Sequence, residues 1–163
     1  MSNSFIHLHL HSEYSISDSL IRIEELIDHV SKNKSPAVAI TDNNNIFSLI
    51  KFYKTAIRKG VKPIIGIEIN LEDKLDTEDF SKIVLLCKNL KGFQNLSSLI
   101  TESYINLNEG EIFKVSRENL AKKSEGLIAL SGGIHGDLAK AIKLERNDPV
   151  SYTHLRAHET TNY

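Results

Sequence analysis

Cysteine is almost missing from this chain. Cys87 stands alone among 163 residues, so no internal disulfide forms and a reducing, cytoplasmic setting is expected. Excess charge is missing too: 20 Lys and Arg face 21 Asp and Glu, a formal net charge of −1. That argues against a basic nucleic-acid-binding module, which carries clustered Lys and Arg. No apolar run approaches the roughly 18–20 residues that span a bilayer. The opening, MSNSFIHLHLHSEYS, lacks the charged and apolar blocks of a signal peptide, so neither membrane insertion nor secretion is expected. Internal repeats and low-complexity linkers are absent as well. What is present is a globular balance, 40% hydrophobic and 25% charged, at a length that suits about one domain with a core of its own.

Strand-like and helix-like stretches alternate. Residues 5–11 follow a period of two, placing Ile6, Leu8 and Leu10 on one side and Phe5, His7, His9 and His11 on the other. Leu20, Ile23, Ile27 and Val30 recur at helical spacing, with Ser17 or Asp18 placed to cap the helix. Residues 37–41 (AVAIT) read as a strand covered on both faces, ending in the Asp42–Asn45 turn signal. A second helix is expected over 46–59, with Phe47, Ile50, Tyr53, Ala56 and Ile57 on its apolar side and Gly60 stopping it. Further strands are expected at 63–71, 82–87 and 127–131, and further helices at 92–103, from Ser116 to about 124, and at 136–146. The stretch EDKLDTEDFS reads as a solvated loop. This alternation implies an α/β fold with a largely parallel sheet and helices packed outside it.

A first strand with one apolar face and one imidazole face suits the ligand-binding end of a (β/α) barrel. About five strands are too few to close a parallel barrel, so the chain reads as the N-terminal part of one. The open edge that results favours aggregation. Residues 150–163 show no apolar period and look like a non-native read-through tail. Their His154 and His158 lie at i, i+4, a zinc-chelating spacing on a helix, yet no third ligand accompanies them, and a solvated tail is the simpler reading.

The strongest chemical feature is His7-x-His9-x-His11, because neutral imidazoles on one strand face can share a zinc, manganese or iron ion. Asp18 opens the first helix, where a capping role alone would explain it. Asp42 ends the second strand, as an active-site group or as a turn residue. Glu68 sits between Ile67 and Ile69, and an inward carboxylate there is costly unless paired or metal-bound, which favours a site role. Cys87 reads as a small buried hydrophobe, His29 as surface or packing, and His135 as a loop residue.

Four stretches in order, FIHLHLHSEYSISDS, AVAITDNNNIFSLIKFYKTAIRKGVKPIIGIEIN, IVLLCKNLKGFQNL and GLIALSGGIHGDL, resemble the N-terminal PHP domain of bacterial replicative DNA polymerase III alpha subunits. The resemblance spans about residues 4–146 and makes 1–149 a partial PHP domain, part of a distorted PHP-type (β/α) barrel. It implies a family in which His and carboxylate ligands at the barrel mouth hold a metal cluster that activates water for phosphoester hydrolysis. His9 and His11 then fall on the first ligand pair, Asp18 on an acidic ligand and Glu68 on the glutamate of the GxE strand. Three positions depart from the pattern: Asn43 replaces an imidazole, Lys82 replaces another, and Gly133 replaces a cysteine. An extra like charge about 4 Å from a cation costs about 4 kcal/mol at an effective dielectric near 20, roughly a thousandfold in affinity.

The resemblance therefore implies a vestigial site at His9, His11, Asp18 and Glu68, with a Lys82–Glu68 ion pair as a stand-in for metal and no catalytic residue in this segment. Its expected role is a non-catalytic scaffold that binds the proofreading exonuclease subunit and other replicase subunits. DNA synthesis, with its magnesium ions and its contacts to DNA, would belong to other domains of the parent polymerase. Two alternatives stay open: a live phosphoesterase loaded with zinc or manganese, and a stand-alone small phosphatase of the same superfamily.

Overall fold

The computed structural model describes residues 5–72 and 80–143. The elements are α1 (Ile23–Lys32), β1 (Ala37–Ile40), α2 (Leu49–Arg58), β2 (Lys62–Glu72), β3 (Phe80–Cys87), α3 (Leu90–Ile105), α4 (Arg117–Lys122), β4 (Leu127–Ser131) and α5 (Asp137–Lys143). Short 3-10 turns lie at Glu13–Ser15 and Gly133–His135. The expected tail at 150–163, with His154 and His158, lies outside the described residues, as do most of the 72–81 loop and the end of the last expected helix.

The chain divides into two compact units, residues 1–68 and 69–163. In the first, Ile23, Ile27 and Val30 of α1 and Phe52 and Ala56 of α2 enclose Val38 and Ile40 of β1, with Val61 beside them and Leu10, Tyr14 and Leu26 at the margin. Helical spacing on α1 puts its three apolar residues on one face. Gly60, at φ 71°, follows the last turn of α2 and ends it in the left-handed conformation that glycine adopts without strain. β1 pairs in parallel with the start of β2, from Ala37 opposite Lys62 to Ile40 opposite Ile65.

The second unit is built on β3, whose Ile83, Val84, Leu85 and Leu86 are all buried. α3 supplies Leu96, Leu99 and Ile100 to this core. Asn89 caps α3 by accepting from the Gly92 N–H, and Ser116 caps α4 by accepting from the Asn119 N–H. A Cβ on Gly92 would collide with the Gly126 carbonyl, so glycine is required at this close approach.

Sequence and structure differ at several places. The sheet, of order β1-β2-β3-β4, is mixed rather than largely parallel, because β4 runs antiparallel to β3 from Cys87 opposite Leu127 to Ile83 opposite Ser131. The cause is the connection. Two helices and an extended stretch separate β3 from β4, so the chain enters β4 from the end opposite to the one a single crossover helix would reach. Part of that stretch was not foreseen: Phe113 and Val115 are buried, and Val115 bridges Leu71 in parallel.

Residues 5–11 do not form a regular strand. Ala39 N donates to the His7 carbonyl and Thr41 N to the Leu10 carbonyl, so three steps on one segment oppose two on β1. The extra residue breaks the period of two, as a bulge does. The expected face of α1 is also shorter, since Leu20 is 94% exposed. Neither Ser17 nor Asp18 caps that helix: its N-cap is Arg22, with no side-chain bond. On α2 the buried side is Phe52, Thr55 and Ala56, whereas Ile50, Tyr53 and Ile57, and Phe47 in the turn before the helix, are exposed. The apolar arc of α2 is wider than the strip it buries, so spacing alone did not fix which edge faces the core. Phe52, which reaches the core, and the small Ala56 settle the choice.

Burial predicts opposite fates for two substitutions. Val30→Asp places an unpaired carboxylate at a site 5% exposed and should remove several of the roughly 5–15 kcal/mol that hold a domain together. Leu20→Asp should shift stability by less than about 0.5 kcal/mol. Urea unfolding midpoints and soluble yield compare them directly.

Candidate metal centre

β2 carries the central carboxylate. Glu68 lies in a strand stretch buried from Gly66 to Leu71, and its side chain is 4% exposed. The segment ahead of α1 brings two imidazoles to it. His11 Nε2 lies 2.9 Å from Glu68 Oε2 and His9 Nε2 lies 3.4 Å from Glu68 Oε1. The two rings meet edge-on, with centroids 5.2 Å apart. One donor atom from each of the three residues falls within 4.8 Å of the other two. His7 stands outside this group: it is exposed and packs edge-on against Phe5. The expected row of three imidazoles is thus a pair, because the irregular step between His7 and Leu10 separates His7 from the others.

These residues fit a divalent ion. His11 Nε2 is buried and, despite its closeness to Glu68, makes no hydrogen bond. A buried ring nitrogen in that condition is costly unless something else occupies its lone pair. Two imidazoles and one carboxylate form a donor set that zinc and manganese accept. An ion held by His9, His11 and Glu68 would supply Lewis acidity toward a phosphoryl oxygen or a bound water.

Asp18 is exposed and pairs with Asn43, whose amide Nδ2 donates to Asp18 Oδ2 at 2.7 Å. Asn43 in turn bridges Glu68 through the backbone. Its amide oxygen is buried without a hydrogen-bond partner. The sequence-predicted residues of the first unit therefore assemble in two groups, His9–His11–Glu68 and Asp18–Asn43, joined through main chain at Asn43 and Glu68.

Asp42, at the end of β1 where the chain turns, is 1% exposed and is not itself among the converging metal donors. Its carboxylate accepts from Ser12 N at 2.7 Å, from Ser12 Oγ at 2.9 and 2.8 Å, and from Ser15 Oγ at 2.8 Å. Ser12 and Ser15 were missed by sequence reasoning. The serine spacing in HSEYS after the histidines was the available signal.

The remaining candidates separate cleanly. Lys82 is half-buried on β3, and Gly133 is exposed at φ 56° in the turn after β4, both in the second unit. His29 is on the surface of α1 beside Asn33, and His135 is exposed. Cys87 ends β3 partly buried, and desolvation pushes its thiol up to about 11.

Comparison with known proteins fits this arrangement. The PHP domain profile matches residues 7–160, and the chain belongs to the PHP domain family. It is 42% identical over 142 residues to DNA polymerase III subunit alpha of Pseudomonas fluorescens, covering 87% of this chain and 12% of that protein. To the Escherichia coli K12 protein of the same name it is 36% identical over 138 residues, covering 85% and 12%. The chain thus spans about an eighth of the length of these curated relatives. Among solved structures, an amidohydrolase from Chromobacterium violaceum aligns with a TM-score of 0.47 at 23% identity, over 60% of this chain and 32% of that one. No helix among the described residues is long and apolar enough to cross a membrane.

The raised thiol gives a direct test of the fold around β3. Since the thiolate is the reactive form, iodoacetamide at pH 8 should modify native Cys87 at least about a hundredfold more slowly than the urea-unfolded chain, whose thiol has a pKa near 8.5. Mass spectrometry of timed aliquots reads the two rates.

Proposed function

We propose that this chain is the PHP domain of a cytoplasmic replicative DNA polymerase III alpha subunit, and that it acts there as a scaffold for partner proteins rather than as a hydrolase. The proofreading exonuclease subunit is the principal partner, with other replicase subunits beside it. Nucleotide transfer, its magnesium ions and contacts to DNA belong to other domains of the parent protein. The family and the relatives' names support the replication role.

The observation that carries the non-hydrolytic reading is the bond from Asn43 to Asp18. Asp18 is an acidic member of the implied ligand set. Here a neutral amide engages it, from a position where the family pattern has an imidazole as a further metal donor. His9, His11 and Glu68 then remain as a site for a single zinc or manganese ion with a structural use. Lys82 and Gly133, standing where the family pattern has donors, add to the same reading.

A second reading, a live phosphoesterase, draws on the buried His11 Nε2, which faces Glu68 without a hydrogen bond. The two separate in one set of measurements on the full-length reading frame. The scaffold reading expects a stable complex with the purified exonuclease subunit by size-exclusion chromatography. It also expects no zinc- or manganese-dependent hydrolysis of p-nitrophenyl phosphate above the buffer rate. Turnover that tracks bound metal and disappears in Glu68→Gln would overturn it in favour of the hydrolase.

A further inference from the structure

We propose that Asp42 is a positioning residue for the metal centre, and that its buried carboxylate sets His11 against Glu68 through Ser12 and Ser15. This inference rests on the reading of His9, His11 and Glu68 as an ion site and adds residues outside that donor set.

A carboxylate 1% exposed is costly without a compensating charge. Among the described residues Asp42 has no cationic partner. It is held instead by one main-chain N–H and two hydroxyls. The roles of those hydroxyls are fixed by their other bonds. Ser15 Oγ accepts from Asn43 N at 3.0 Å and Ser12 Oγ accepts from Tyr14 N at 3.3 Å, so both direct their protons at Asp42.

The same short stretch of chain grips both sides of the centre. Thr41 holds Leu10, taking the Leu10 N–H on its Oγ1 at 2.9 Å and giving its own N–H to the Leu10 carbonyl at 2.8 Å. Asp42 holds Ser12. His11 is thereby fixed from the residues before and after it. On the other side, Glu68 N donates to the Asp42 carbonyl at 3.1 Å, and Asn44 N donates to the Glu68 carbonyl at 2.8 Å. Asp42 is the residue that touches both arms, by side chain to the imidazole segment and by main chain to the glutamate strand. Ligand geometry depends on such outer partners, whose loss commonly costs 10–100-fold in metal affinity.

The test uses the full chain with zinc, titrated against a chromophoric chelator, and with cobalt, whose visible absorption reports ligand geometry. Asp42→Asn replaces one acceptor oxygen by a donor that faces the serine protons. Ser12→Ala and Ser15→Ala, singly and together, remove only hydroxyls and keep the Ser12 N–H bond available. Far-UV circular dichroism and a urea midpoint confirm folding, and His11→Ala sets the zero of binding. The expected result is a 10–100-fold loss of zinc affinity and an altered cobalt spectrum in folded Asp42→Asn. A smaller loss in the same direction is expected in the serine double variant, which decides the matter if Asp42→Asn does not fold. Folded variants with wild-type affinity and an unchanged cobalt spectrum would overturn the proposal. A wild-type chain that takes up no zinc would instead remove the ion-site reading on which it stands.

Discussion

The corner where β1 ends, residues 41–44, is the constraint on which the first unit depends. Backbone groups leaving a short parallel strand must find partners or water. Here they find the imidazole segment on one side and the glutamate strand on the other. Thr41 and Asp42 take the first, while Asp42 and Asn44 take the second. β1 has only four residues and cannot by itself fix its neighbours over any length, so side chains complete what the ladder leaves undone. Asn44 adopts φ 55°, a left-handed conformation that asparagine tolerates better than most residues. That is a physical reason for asparagine in this turn.

The strands were legible because short runs rich in Ile, Val and Leu between turn signals have few alternatives. β1, β2, β3 and β4 all fall within a residue or two of the sequence expectation. Helix ends marked by Gly60 and Ser116 were legible for the same reason: each has one specific local job. The irregular 5–11 segment was not. Its sequence alternates well, but a single extra residue between two hydrogen bonds to β1 leaves no trace in the hydrophobic pattern. The direction of β4 depends on how many elements precede it, a property of the whole connection rather than of LIALS itself.

At the candidate site, chemistry was more legible than geometry. His9, His11 and Glu68 stood out because imidazoles and a carboxylate sit where apolar residues would otherwise be. Asp42 was equally visible, yet its role came from Ser12 and Ser15, common residues whose spacing in HSEYS names no partner until the fold is formed. The Asp18–Asn43 bond was also hidden, since it joins side chains 25 positions apart. Long-range polar pairs of this kind depend on the finished fold.

The outward side of α2 has a consequence for handling the molecule. Ile50, Tyr53 and Ile57 line up along it, and Lys54 and Arg58 lie beside them, bordering a depression of about 470 Å³ with Tyr53 and Ile57. Water-facing greasy rings and branched chains in a row make a sticky strip, and the neighbouring cations repel a second copy at low ionic strength. Adding salt weakens that repulsion while leaving the adhesion intact, so this is a protein to concentrate in dilute buffer.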